Sequence, residues 1–371
     1  MLLPLPLLAA AALPLAQLED DIDDSDDVEA AEEAAEASGD FVLNSDPDLD
    51  PLLEELFTSE GIGETRAVLV VRDGELVAER YAPGYTAEQR FISWSMAKTI
   101  TAMLIGELVG DGRLDLDAPA PIPEWQGADD PRREITLRHL LHMSSGLDHT
   151  EVNDPIWDSD TNRMLFTSAA DDMAGYAVAR ELEAEPGEKY EYSSATTVIL
   201  SRIIADRLTN SSDPGARAAA YNRFAQQRLF GPALTPSFFL EFDAQGTQIG
   251  GSLIHATARD WARMGEVLRT GSSVDGTQII SPEWLAFMTT PSPNNSEYGG
   301  QTWLNRPGGN NDNPVLFPDR APQTLYSMIG HLGQYVMVSP DQGLTVVRLG
   351  NTPDGDLREA MVLRLARFFE G

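Results

Sequence analysis

Ser95 and Lys98 lie three residues apart in "FISWSMAKTITAMLIGELVGDG" (91–112), in a chain that otherwise hardly uses lysine. Of its 26 basic residues only Lys98 and Lys189 are lysines. Arginine is thus the default cation, yet a guanidinium stays protonated in any protein and cannot act as a base. A lysine amine can be driven neutral by desolvation. A serine hydroxyl is a poor nucleophile until a neighbouring base takes its proton. Residues i and i+3 are neighbours on a helix face, so Lys98 can serve Ser95 in that role.

Two further stretches carry chemistry. In "EPGEKYEYSSATTVIL" (185–200) a Pro186-Gly187 turn precedes Tyr190 and Tyr192, just before a helical pattern. A phenol near an ammonium can shuttle protons; Tyr190 reads as aromatic packing. In "IGHLGQYV" (329–336), glycines at 330 and 333 allow close backbone approach, and a strand-edge N–H there can serve an oxyanion hole. A Gly-x-Ser-x-Gly nucleophile elbow is missing; "HMSSG" (142–146) has histidine where the first glycine belongs. The chain has no cysteine, and its five histidines show no zinc spacing, so no metal is expected.

These residues need elements to hold them. Ile100, Leu104, Ile105 and Leu108 make the 91–112 segment an apolar, central helix, stopped by Gly110 and Gly112. "AVLVVRDGELVAERYAPG" (67–84) predicts a hairpin about Asp73-Gly74. Residues 113–270 read as mostly helical, with helices over 135–147, 198–209 and 256–271; a helix capped by Ser281 follows over 281–290. Residues 305–323 form a Pro/Gly/Asn-rich loop. Strands return over 324–330, 334–340 and 344–350, and a last helix spans 356–369. The order predicts an α/β (α+β) fold, with a mostly antiparallel sheet flanked by helices and a helical region inserted between its strands.

The first eighteen residues carry no charge and read as a secretory signal without a basic start, which places the protein outside the cytoplasm, periplasmic or secreted. Residues 19–45 read as an acidic disordered linker, and 46–371 as the folded domain. From Glu19 to Glu64 there are 19 acidic residues and no basic one. The remaining 40 acidic residues face 26 basic ones, a balance of −14 within the total of −33. This acidity argues against nucleic acid and anionic membrane surfaces as partners.

Together the three motif stretches resemble the serine β-lactamase-related superfamily, which includes class C β-lactamases, D-Ala-D-Ala peptidases and esterases. The resemblance spans about residues 50–371 and is closest to the 6-aminohexanoate-dimer hydrolase-like branch. Ser95-x-x-Lys98 matches the first motif and Tyr192-Ser193-Ser194 the second. The resemblance implies a serine hydrolase that cleaves a small ester or linear amide through an acyl-enzyme on Ser95. Lys98 and Tyr192 would share the proton, and no cofactor is needed. The third motif aligns in two ways, making either the His331 or the Gln334 N–H the second oxyanion donor; the His331 alignment is nearer the branch. Ser194, Gly333 and Gln334 would then contact substrate. Ser194 replaces the Asn of many β-lactamases and peptidases, which leaves that contact open. A β-lactamase or D-amino-acid peptidase on the same fold is one alternative, and a catalytically inactive binding protein is another.

Overall fold

The computed structural model describes residues 41–308 and 315–370. The expected signal and most of the acidic linker lie outside the described residues, as do Gly371 and residues 309–314 of the expected loop.

The hairpin forms as its turn chemistry requires. Strands β1 (Glu64–Arg72) and β2 (Glu75–Tyr81) pair antiparallel about Asp73 and Gly74, both at positive φ, 52° and 90°. With β3 (Arg90–Ile92), β4 (Phe239–Leu240), β5 (Ile254–Thr257), β6 (Trp303–Leu304), β7 (Tyr326–Gly330), β8 (Gln334–Ser339) and β9 (Leu344–Asn351), the described residues build two sheets. The main one has six strands in the order β2-β1-β9-β8-β7-β6, and all its neighbours are antiparallel. Its N-terminal hairpin is thus closed by the last strand, as the split strand pattern predicts.

Both faces of this sheet are buried, which explains the unbroken apolar run in β1. Ala67, Leu69 and Val71 enter the larger core, while Val68 and Val70 face the other way. This is the period-two alternation of a strand. The outer face is covered by α1 (Asp50–Thr58) and the C-terminal helix Asp356–Ala366 through Leu53, Leu56, Met361 and Leu365. The inner face packs against α2 (Ala97–Gly110) and the helix Ala258–Thr270, whose Gly265 sits against Thr345 and Val336.

The helical region departs from the sequence pattern in three places. The expected 135–147 helix is only α3 (Leu137–Leu141); it starts at the Thr136 cap and ends before Met143, which takes φ 54°. It is followed by α4 (Asp160–Phe166), α5 (Met173–Val178) and α6 (Ser194–Leu208). Strands β4 and β5 were not expected. They form a second sheet with β3, in the order β3-β5-β4, and at two to four residues each they are too short for a periodic signal. Because β5 runs to Thr257, which caps the next helix, that helix begins at Ala258 rather than 256.

The linker boundary also moves. Phe41 is buried in the larger core, and the Asn44 and Asp46 N–H groups donate to Leu76 and Val77 carbonyls at 2.8 Å each. Residues 41–45 therefore belong to the folded body. They cover the otherwise unpaired edge of β2, and of the apolar "FVL" Phe41 is buried while Leu43 stays exposed. Among the described residues no helix is long and apolar enough to cross a membrane.

Candidate active site

Ser95 lies in a 3₁₀ turn, Trp94–Met96, that leads directly into α2. Trp94 adopts φ 45°, a left-handed conformation that bulky residues rarely take, so the turn that presents Ser95 is strained. Lys98 is in the first turn of α2 and is 1% exposed. The apolar helix seen in the sequence thus buries the amine and points it at the serine.

Lys98 Nζ has three partners: Ser95 Oγ at 3.0 Å, Ser194 Oγ at 2.8 Å and the Gly251 carbonyl at 2.8 Å. Burial pushes its pKa down to about 8, against the opposing pull of the Glu151 carboxylate. The amine also lies 4.8 Å from the centroid of the Tyr192 ring. The Tyr192 phenol also lies near Ser95, whose hydroxyl favours its charged form, so the serine neighbours both amine and phenol. Burial first, and the Glu151 charge second, hold the phenol well above its ordinary pKa. Tyr298 and Trp303 brace the Tyr192 ring at centroid distances of 5.7 and 5.3 Å. Tyr190 packs edge-on to Tyr298, in the packing role read from the sequence.

Ser194, expected at the substrate, lines the Ser95 cleft at the start of α6 but is 1% exposed, with its polar atoms bonded within the protein. It accepts from Lys98 and donates its Oγ–H to Glu151 Oε1 at 2.8 Å. Glu151 Oε2 accepts the Ser194 N–H at 2.6 Å and the Thr161 hydroxyl at 2.7 Å. Sequence reasoning missed Glu151. It stands in the polar loop "DHTEVND" (148–154), where no local feature marks it.

The third motif divides. Gly330 ends β7 against the Ser93 backbone; a Cβ there would lie 2.2 Å from the Ser93 carbonyl oxygen, so only glycine permits this approach. The following residue, His331, lies on the wall of the Ser95 cleft, with its ring edge-on to Trp94 at 5.5 Å. Among the described residues neither the Ser95 nor the His331 N–H is donated within the protein. Gln334 and Gly333 face elsewhere. The Gln334 carboxamide donates to the His331, Leu332 and Gly350 carbonyls and accepts the Gly350 N–H at 3.0 Å. A Cβ on Gly333 would meet Arg348 at 2.6 Å, and neither residue lines the cleft.

The cleft is lined by Trp94, Ser95, Glu151 and His331, and also by Val152, Ile156, Leu165 and Phe166. No lysine or arginine lines it. Arg348 is buried and donates to Gly333 and Glu64 carbonyls and to Thr352; Arg320 pairs with Glu370. Among the described residues no cluster of side chains could hold a metal ion.

The sequence profile of the Beta-lactamase family matches residues 59–368. The 6-aminohexanoate-dimer hydrolase of Paenarthrobacter ureafaciens is 26% identical over 347 residues, covering 84% of this chain and 77% of its own. A Bacillus anthracis structure provisionally assigned as a 6-aminohexanoate-dimer hydrolase superposes with a TM-score of 0.64 at 21% identity, covering 85% of this chain and 81% of its own. A family VIII carboxylesterase superposes with a TM-score of 0.61 at 15% identity, covering 87% and 98%. The two structures, at these identities, share the fold.

Proposed function

This chain belongs to the Beta-lactamase family, a hydrolase family whose fold also serves amide hydrolases and esterases, and from that premise we propose that it cleaves an ester or linear amide through an acyl-enzyme on Ser95. The observation that carries the reading is the set of three contacts around Lys98 Nζ. The Gly251 carbonyl can only accept, so it takes one N–H. Ser194 has committed its own proton to the Glu151 carboxylate, so it must accept a second. A neutral amine has two N–H bonds, and both are thereby used. Its lone pair is left facing the Ser95 hydroxyl.

Ser95 Oγ bonds to the substrate carbonyl carbon as its proton passes to Lys98, and the Ser95 and His331 N–H groups receive the oxyanion. The C–O or C–N bond then breaks, and the leaving group takes a proton from Tyr192, which recovers it from Lys98. Water cleaves the acyl-enzyme, giving the acid and restoring Ser95. Lys98 is the base in this scheme because its pKa is about 8 while the Tyr192 pKa is raised, so only the amine is appreciably deprotonated near physiological pH. Glu151 acts through Ser194 as a positioning residue. The test is the mass of the intact protein after a fluorophosphonate or activated-ester probe. One equivalent added and mapped to Ser95 supports the reading; no adduct, or an adduct elsewhere, overturns it.

A pH profile follows. Acylation needs neutral Lys98, so kcat/KM should rise with pH and level off above about 8. The Glu151 charge raises the Lys98 pKa, so Glu151→Gln should move the midpoint to lower pH. An unmoved or alkaline-shifted midpoint in that variant would contradict the assignment.

Penicillins and cephalosporins should be poor substrates beside uncharged esters. Their carboxylate lies near the scissile amide and calls for a charge-assisted contact. The cleft offers no lysine or arginine. One missing contact of this kind costs about 1.5–3 kcal/mol, or roughly 10- to 150-fold. The measurement is kcat/KM for a chromogenic cephalosporin against p-nitrophenyl acetate, each corrected for spontaneous hydrolysis. A corrected preference for the cephalosporin would sink the expectation.

A further inference from the structure

The cleft beyond Ser95 has one apolar wall, and that wall is unusually exposed. Val152, Ile156 and Phe166 are 78%, 61% and 57% exposed, and Leu165 is packed beneath them. Trp157, next to Ile156 in the chain, is 66% exposed. Only seven large hydrophobic residues are exposed in the described structure, and four of them lie between residues 152 and 166. Apolar groups concentrated at the mouth of a site mark a ligand contact more often than chance exposure does.

Direction follows from the proton path. In the reading above, the leaving group collects its proton from Tyr192, which does not line this cleft and is instead packed against Tyr298 and Trp303. The leaving group therefore departs on the Tyr192 side, and the other substituent of the carbonyl, the acyl chain, extends into the cleft. There it meets Val152, Ile156, Leu165 and Phe166. The Glu151 carboxylate on the lining already accepts three hydrogen bonds from Ser194 and Thr161, and the polar groups of Ser159 are engaged with Asn162 N–H and the Ile156 carbonyl. An anionic chain would meet Glu151 and no guanidinium or ammonium on the lining.

We propose that the residue 152–166 wall is an acyl-binding site that selects an uncharged, medium-length aliphatic or aryl acyl group, with Ile156 and Phe166 as its specificity-determining residues. The inference rests on the acyl-enzyme reading. Each methylene of a chain laid on this wall should raise kcat/KM by roughly two- to fourfold, the increment of partial to full apolar burial.

The experiment compares p-nitrophenyl esters of acetic, hexanoic, 6-(trimethylammonio)hexanoic and adipic acids, which share one leaving group. Hexanoate should exceed acetate in kcat/KM by at least about tenfold, and a terminal charge of either sign should remove most of that gain. Ile156→Ser and Phe166→Ser, both at exposed positions, should each lower the hexanoate-to-acetate ratio by several-fold. A flat chain-length profile, a preference for the charged chains, or ratios untouched by both substitutions would overturn the acyl site if Ser95 still takes the probe. Failure of Ser95 to take the probe would instead overturn the acyl-enzyme reading, and the acyl site with it.

Discussion

Ser95→Ala is expected to abolish probe labelling and to lower kcat by on the order of 10⁴- to 10⁶-fold, the range over which removal of a serine nucleophile is felt. Ser95 Oγ is the nucleophile candidate beside the Lys98 amine at 3.0 Å and the Tyr192 phenol, and it opens on the cleft. Alanine deletes that atom and little else. The position is partly exposed, so no cavity is created, and the strained Trp94 turn is kept. A variant with wild-type thermal unfolding and no adduct in the intact mass meets the expectation. Labelling that persists at a stoichiometric level would move the nucleophile to another residue, and the proposed roles of Lys98 and His331 would fall with it.

Lys98→Arg should lower the acylation rate by about 10²- to 10⁴-fold, the usual worth of a positioned general base. Arginine keeps the positive charge but cannot give it up. The larger guanidinium must also fit a site that is 1% exposed and shaped to three short contacts with Ser95, Ser194 and Gly251, so some loss of stability is expected. Lys98→Met separates the two effects. It has similar length and no charge, so it relieves the crowding and still lacks a base. Both variants should fail to acylate while Lys98→Met retains the fold by circular dichroism. Acylation within about tenfold of wild type in either variant, a loss of only ~1.4 kcal/mol, would show that Lys98 is not the base.

Much of this architecture was legible because it rests on local patterns. Asp73-Gly74 between two apolar runs specifies a hairpin, and strands read near both ends of the chain, with helices between, specify the inserted topology. Elements without local signal were not legible. Strand β5 exists because β3 offers an edge to pair with, β4 because β5 offers the next, and residues 44–46 dock because β2 offers another. The helix after Thr136 is short because the chain turns at Met143, a decision made by packing around it rather than by helix propensity.

At the site the division is similar. The sequence alone determined that Ser95 and Lys98 share a helix face, since three residues of helix bring any such pair together, and that the amine would be buried, since the helix is apolar nearly all round. It also narrowed the third motif to two alignments. Tertiary structure decided where these residues lie: Gly330 packs against the Ser93 carbonyl, His331 lines the cleft, and the Gln334 side chain turns to Gly350. It also decided which acceptors surround the Lys98 amine, and with them the lone-pair direction proposed above. That depends on Gly251, Ser194 and Glu151, which lie 153, 96 and 53 positions from Lys98 in the chain and meet only through the hydrogen bonds of the folded state. Proximity along a helix is a property of the chain's own geometry, whereas the direction of a proton transfer is set by which acceptors the fold brings to the remaining N–H bonds.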